Sequence, residues 1–197
     1  MVAQLRPALV LVALFTLLTG LALPLGFVGL ATALVPFQAG GSLIERNGHV
    51  VGSALLGQNF TQAKYFHGRP SATTDTDPAD STKTIPAPYN AANSGGSNLG
   101  PTSKALVDRV TADVAQAGAK PVPGDAVTTS ASGLDPDISP ENADRQVARV
   151  AAARNLPEDR VRALLAAHTA GRLLGVVGEP RVNVLALNIA LDEAVPK

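Results

Sequence analysis

Three histidines, a glycine pair and a pair of aspartates are the residues from which this sequence could build a reactive site. His49, His67 and His168 are scattered along the chain, with no metal-ligand spacing among them or to Asp or Glu. They read as surface or packing residues. No G-x-x-x-x-G-K-[ST] phosphate loop is present, and no Gly-Lys dipeptide occurs anywhere. Gly95-Gly96 can turn backbone N–H groups toward an anion, although a loop fixed for its shape accounts for the pair better. Gly96-Ser97-Asn98-Leu99-Gly100 is not the G-x-S-x-G elbow, because its serine comes one place early. A hydrolase built on Ser97 would need a distant base brought close by the fold. Asp135 and Asp137 flank Pro136 and could hold a cation; a turn ahead of the helix start at Ser139 explains them equally. On residue types alone the domain is non-catalytic.

The elements that position these residues begin with an uncharged run. Between Arg6 and Glu45 there is no Asp, Glu, Lys, Arg or His. Its core, residues 8–30, is apolar enough to cross a bilayer, since a hydrocarbon core of about 30 Å needs roughly 20 helical residues. A cleaved signal peptide is the competing reading, and Ala31-Thr32-Ala33 fits its cleavage pattern. The apolar stretch is longer than the 7–15 residues typical of such signals, so the retained anchor is preferred, residues 1–36 in all. Arg6 precedes the span, whereas Glu45 and Arg46 follow it and cancel. The positive-inside rule then puts the N-terminus in the cytoplasm and residues 37–197 outside. Pro24 lies within the span, and the helix is expected to continue past it with a kink. Thr16 with Gly20, and Ala22 with Gly26, form small-xxx-small pairs that let another helix approach closely.

Beyond the anchor the composition is ordinary. Arg6 is the only early charge, so the rest of the chain sets 16 acidic residues against one fewer than 16 basic. That balance favours neither nucleic acid nor an acidic surface as partner. Cysteine is absent, which removes disulfides and thiol chemistry together. Scarce aromatics and no Trp argue against stacking platforms for bases or sugars.

The fold class read from the pattern is α+β: a single N-terminal transmembrane helix followed by one soluble mixed α/β domain. His49–Leu56 reads as a strand with Gly52 at a bulge or close approach, and Tyr65-Phe66 as buried rings. Residues 68–101 are rich in Gly, Pro, Ser, Thr, Asn and Asp. Within them Thr73–Thr84 reads as disordered or variable, and Ser94–Gly100 as a fixed loop. Thr102 or Ser103 caps a helix ending at Gly118. Residues 122–133 read as a strand and turn. Ser139-Pro140 opens a helix with an apolar stripe of Ala143, Val147, Val150 and Ala151, with Arg145, Arg149 and Arg154 pointing outward. Pro157 opens another, and Arg181–Leu191 reads as a buried strand.

Short motifs along nearly the whole chain carry a resemblance. They include Gly57-Gln58-Asn59-Phe60-Thr61, Gly68-Arg69-Pro70-Ser71-Ala72, Tyr89-Asn90, Ser94-Gly95-Gly96-Ser97-Asn98-Leu99-Gly100-Pro101-Thr102 and Gly178-Glu179-Pro180-Arg181-Val182-Asn183-Val184-Leu185. In this order, behind one N-terminal span, the chain resembles the KdpC family, the C subunit of Kdp-type potassium-transporting ATPases. One departure is Asp137, which stands where the family pattern has His. The resemblance implies an accessory, non-catalytic subunit of a plasma-membrane complex for potassium uptake. Its partners would be a channel-like potassium-binding subunit, a P-type ATPase catalytic subunit and a small single-span subunit, with membrane lipid around the anchor and no nucleic acid. It also implies a chaperone-like role that raises the ATPase subunit's affinity for ATP, no tightly bound cofactor, and a glutamine at the nucleotide, for which Gln146 is the candidate. A domain outside the membrane could not touch cytoplasmic ATP, so a cytoplasmic nucleotide-binding regulator is the alternative. Gly68, Arg69, Pro70, Ser71, Tyr89, Asn90, Ser94, Gly95, Gly96, Ser97 and Asn98 are the expected partner-contact positions.

Overall fold

The computed structural model describes residues 2–118 and 121–194; residues 119–120 and 195–197 of the expected domain lie outside the described residues. The chain divides into two compact units, Met1–Val51 and Gly52–Lys197.

The first unit is dominated by one apolar helix. α1 (Val2–Leu17), a π turn (Leu18–Ala22) and α2 (Leu23–Leu34) run together. They make a 32-residue candidate span, Ala3–Leu34, whose most apolar 18-residue stretch has a mean hydropathy of 2.4. At about 1.5 Å per residue it is roughly 48 Å long, more than a bilayer core needs. Pro24 lacks an N–H, and its ring clashes with the carbonyl one turn back. The π turn just before it relieves this: the Leu23 N–H bonds to Leu18 O, five residues back. The helix therefore continues past Pro24, as expected. The hydroxyls of Thr19 and Thr32 donate to Phe15 O and Val28 O at 2.6 and 2.8 Å, so both are satisfied within the helix. Thr16, Gly20, Ala22 and Gly26 are all exposed, and a Cβ on either glycine would meet nothing within 4 Å. A short α3 (Pro36–Ala39) follows, then β1 (Leu43–Arg46) and β2 (His49–Ser53), paired as a hairpin. Asn47 and Gly48 turn it with φ of 52° and 77°, the two left-handed residues of a type I′ turn.

The second unit opens with a solvent-exposed ribbon. β3 (Thr74–Asp77) and β4 (Asp80–Pro86) pair antiparallel, with Thr74 opposite Pro86 and Asp77 opposite Asp80. Thr73–Thr84 is thus ordered, contrary to the sequence expectation. The strands lack apolar alternation because neither face is buried, and the ends are tied by aspartates: Ala79 N donates to Asp77 and Thr82 N to Asp80. α4 (Lys104–Ala117) ends at Gly118, φ 73°. Ser103 holds the N-cap position without a side-chain bond, and no residue of α4 is buried. Residues 122–133 contain a 3₁₀ turn, Gly124–Ala126, rather than the expected strand.

The core lies in the C-terminal third. β5 (Asp137–Ile138) leads into α5 (Pro140–Asp144), α6 (Val147–Arg154) and α7 (Glu158–Ala167); β6 (Thr169–Ala170), β7 (Arg181–Asn183) and α8 (Val184–Ala194) complete it. The small antiparallel sheet has the order β5-β7-β6. Ser139 caps α5 by accepting from Asn142 N, and Ala143, Val147, Val150 and Ala151 are buried as the stripe requires. They meet Phe66, Val161, Leu165, Val182, Leu187 and Leu191 in one cluster.

Two expectations are corrected here. Arg181–Leu191 is a strand only to Asn183; from Val184 it is helix. Asn183 Oδ1 accepts from Ala186 N at 3.0 Å, which caps α8, and Val184, Leu187, Asn188 and Leu191 then share a buried helical face. A short apolar run fits either period until a cap decides it. The arginines of α5 and α6 are not outward: the Arg154 side chain is only 5% exposed and pairs with Asp192 at 2.8 Å.

Candidate functional site

Glycines at two points make room for one aromatic ring. A Cβ on Gly57 would lie 2.4 Å from the Tyr89 ring, and one on Gly68 would lie 2.2 Å from its hydroxyl oxygen. Tyr89 therefore slots between them, its backbone at φ 61° and its hydroxyl donating to Arg69 O at 2.7 Å. Burial, then the Asp135 charge, push that phenol up to about 12 despite the opposing pull of Arg69. Arg69 in turn pairs with Asp135 at 2.9 Å and reaches the carbonyls of Thr128 and Thr129.

The same stretch, 128–135, ties down the other loop positions. Ser71 Oγ donates to Gly133 O at 2.8 Å and accepts from Tyr89 N at 3.0 Å. Asn90 donates through Nδ2 to Thr74 O at 3.0 Å. Gly95 N and the Ser94 hydroxyl both donate to Ser132 O, at 2.9 and 3.0 Å. A Cβ on Gly96 would lie 2.8 Å from Ala131 O. Ser97 Oγ accepts from Thr129 Oγ1 at 3.3 Å, and Asn98 takes φ 50°. Loops 68–71 and 89–98 are thus brought together on one internal strip. Neither aspartate of the expected cation pair is free: Asp135 holds Arg69, and Asp137 holds Arg181 at 3.1 Å. Desolvation, then the neighbouring Asp135, raise the Asp137 carboxyl above its ordinary range.

Beside this strip lies a cleft of about 690 Å³, lined by Arg69, Pro70, Tyr89, Arg145, Gln146 and Arg149 among others, with no Asp or Glu in its wall. Gln146 sits at its edge, where α5 passes into α6. Its Oε1 accepts from His67 N at 2.8 Å and from Arg149 Nη2 at 2.7 Å. Its Nε2 donates to His67 O at 3.1 Å and to Asn142 Oδ1 at 3.4 Å. The amide treats His67 as a neighbouring strand would. Burial lowers the His67 imidazole below its ordinary value, and the positive charge of Arg149 adds to this against the Gln62 carbonyl. Arg145 caps the C-terminal end of α4 by donating to Ala117 O at 3.2 Å.

Residues 63–67 belong to no strand, so their backbone groups need other partners. Helical side chains provide them. Asn188 of α8 accepts from Phe66 N at 2.8 Å and donates to Phe66 O at 3.0 Å. Arg149 donates to Ala63 O and Tyr65 O, at 2.6 and 3.0 Å, and Arg154 to Lys64 O at 2.6 Å. Asn188, Arg149 and Arg154 form no part of the expected site. The spacing Gln146, Arg149, with Arg154 eight residues after Gln146, is the one sequence sign of the part of the clamp that α6 carries.

The family described as "KdpC: K+-transporting ATPase, c chain" matches residues 5–193. A "Potassium-transporting ATPase KdpC subunit" from Methylobacterium nodulans is 65% identical over 201 residues, covering 100% of both chains. One of the same name from Bradyrhizobium diazoefficiens is 64% identical over 201 residues, again covering 100% of each. Another from Methylorubrum populi is 64% identical over 197 residues, 98% of each chain.

Proposed function

Because this chain belongs to the KdpC family, as a non-catalytic subunit of a potassium-transporting ATPase complex, we propose that it anchors to that complex and stabilises it. The observation that carries this reading is a family match over residues 5–193, which takes in nearly all of the one apolar helix, Ala3–Leu34. The helix sits in the plasma membrane with its N-terminus in the cytoplasm, and the second unit lies outside. Thr16, Gly20, Ala22 and Gly26 pack the helix against the channel-like subunit, and the ATPase catalytic subunit and a small single-span subunit complete the assembly. The loops 68–71 and 89–98, already fixed to each other, present a preformed surface at the entrance for potassium. No cofactor is held tightly. Purifying the complex from cells with and without this chain tests the reading. Assembly and potassium-stimulated ATP hydrolysis are expected to fall without it; full assembly and full hydrolysis would sink the proposal.

A second reading has the domain raise the ATPase subunit's affinity for ATP through direct nucleotide contact at Gln146. The acid-free wall of the cleft, with Arg69, Arg145 and Arg149, favours an anion there. Against it, the Gln146 amide is already occupied by His67, Arg149 and Asn142. Chemical labelling decides between the two orientations. The chain has no cysteine, and Ser81 and Ala153 are exposed. Single cysteines there, labelled in intact cells by a membrane-impermeant reagent, put the domain outside. Protection of both until the membrane is permeabilised puts it in the cytoplasm.

A further inference from the structure

The connection from β6 to β7, residues 171–180, carries four large aliphatic side chains that nothing in the second unit covers. Leu173, Leu174, Val176 and Val177 are 68%, 88%, 78% and 59% exposed, and Leu174 exceeds every other large apolar residue described, the membrane helix included. Contiguous exposed apolar surface of this kind marks an interaction site.

The tip is built to hold its shape. Leu173 N donates to Val177 O at 2.8 Å, closing a β-bridge. Arg172 and Glu179 pair across its base at 2.6 Å. Leu174 itself is left-handed at φ 53°, a conformation in which a side-chain-bearing L-residue is strained. Gly175 and Gly178 take φ 76° and 81°, where their lack of Cβ is needed. The folded chain therefore keeps a strained leucine pointing at solvent, with no internal contact to justify it.

The chemistry of the loop selects protein over lipid. Segments that lie in a membrane interface carry Trp or Tyr with Lys and Arg. Residues 171–180 (GRLLGVVGEP) contain no aromatic residue and no lysine, and their one arginine, Arg172, is neutralised by its pair with Glu179. An apolar centre with charges of both signs at its edge is instead the anatomy of a protein interface.

We propose that the 171–180 hairpin is an assembly anchor: Leu174 and Val176 insert into an apolar pocket on another subunit of the transporter, and Arg172 and Glu179 lie at the polar rim. This rests on the accessory-subunit reading above.

The test uses cells making the whole complex. Leu174→Cys, carrying a thiol-attached photo-crosslinker, is expected to form an adduct with another polypeptide of the complex. Adducts with lipid alone, with a second copy of this chain, or with nothing would overturn the proposal. Leu174→Asp and Leu174→Gly are then compared for the subunits they bring down at equal chain level. Both are expected to lose about tenfold or more, as removal of a central anchor does. Leu174→Gly also relieves the left-handed strain, so its melting temperature should hold or rise while assembly falls, which separates anchoring from misfolding. Undiminished co-purification of both variants defeats the inference alone. If the unsubstituted chain brings down no other subunit, the functional reading fails first.

Discussion

Residues 63–67 and residues 171–180 are both irregular stretches, and the chain treats them in opposite ways. In the first, each residue's carbonyl is held by Arg149, Arg154, Asn188 or Gln146, and Phe66 is fully buried. In the second, the backbone closes on itself through one bridge, and the aliphatic side chains stand in solvent. One stretch takes polar side chains from distant helices to become interior. The other withholds its side chains from the interior altogether. The difference separates what makes the domain fold from what the domain offers a partner.

Substitutions can break that contrast from either side. Asn188→Ala should have the largest effect on folding, because it strands both the N–H and the C=O of buried Phe66. Each such orphan costs about 1–3 kcal/mol, so a loss of about 2–6 kcal/mol is expected in denaturant unfolding of the detergent-solubilised chain. An unchanged midpoint would mean that water replaces the amide. Gln146→Ala removes a similar pair of bonds from His67 at a half-exposed position, and about 1–2 kcal/mol is expected. If stability is untouched while the ATP dependence of hydrolysis shifts, the nucleotide reading gains over the structural one.

A pH series gives a smaller effect. The His67 imidazole is depressed below its ordinary 6.5 in the folded chain, so the unfolded state binds the extra proton first. Stability is then full above that value and declines as pH falls below it. His67→Gln should flatten this slope between neutral pH and pH 5 in thermal melts, and an equal slope in the variant would assign it elsewhere. At the other pole, Leu174→Ser should change folding stability by less than about 0.5 kcal/mol, as exposed substitutions do. A larger loss would show that the tip is internally packed.

Local signals were legible where a residue acts on its immediate neighbours. The uncharged run before Glu45, the Ser139-Pro140 helix start and the Gly118 helix end each announce themselves within a few residues. So does Gly96, where a Cβ would run into Ala131 O. The ribbon at residues 74–86 was hidden because exposed strands carry no apolar alternation. Residues 181–191 read as one strand in sequence because Val184–Leu191 is apolar at both periods, and only the Asn183 cap chooses the helix. The clamp was beyond reach for a different reason. Gln146 and Asn188 meet their backbone partners across 79 and 122 residues, and a lone amide in a helix gives no sign of such a distant partner.

That distance also sets the order in which the domain can complete itself. Phe66 emerges early in synthesis, but its hydrogen-bond partner and the Leu187 and Leu191 side chains that pack in its cluster arrive with the last helix. Contacts of such long sequence separation must wait for the chain to close a long loop. Until α8 is delivered, the ring has no complete interior to enter. The interior around Phe66 is thus closed by α8: a chain cut before Val184 would leave that ring exposed rather than buried.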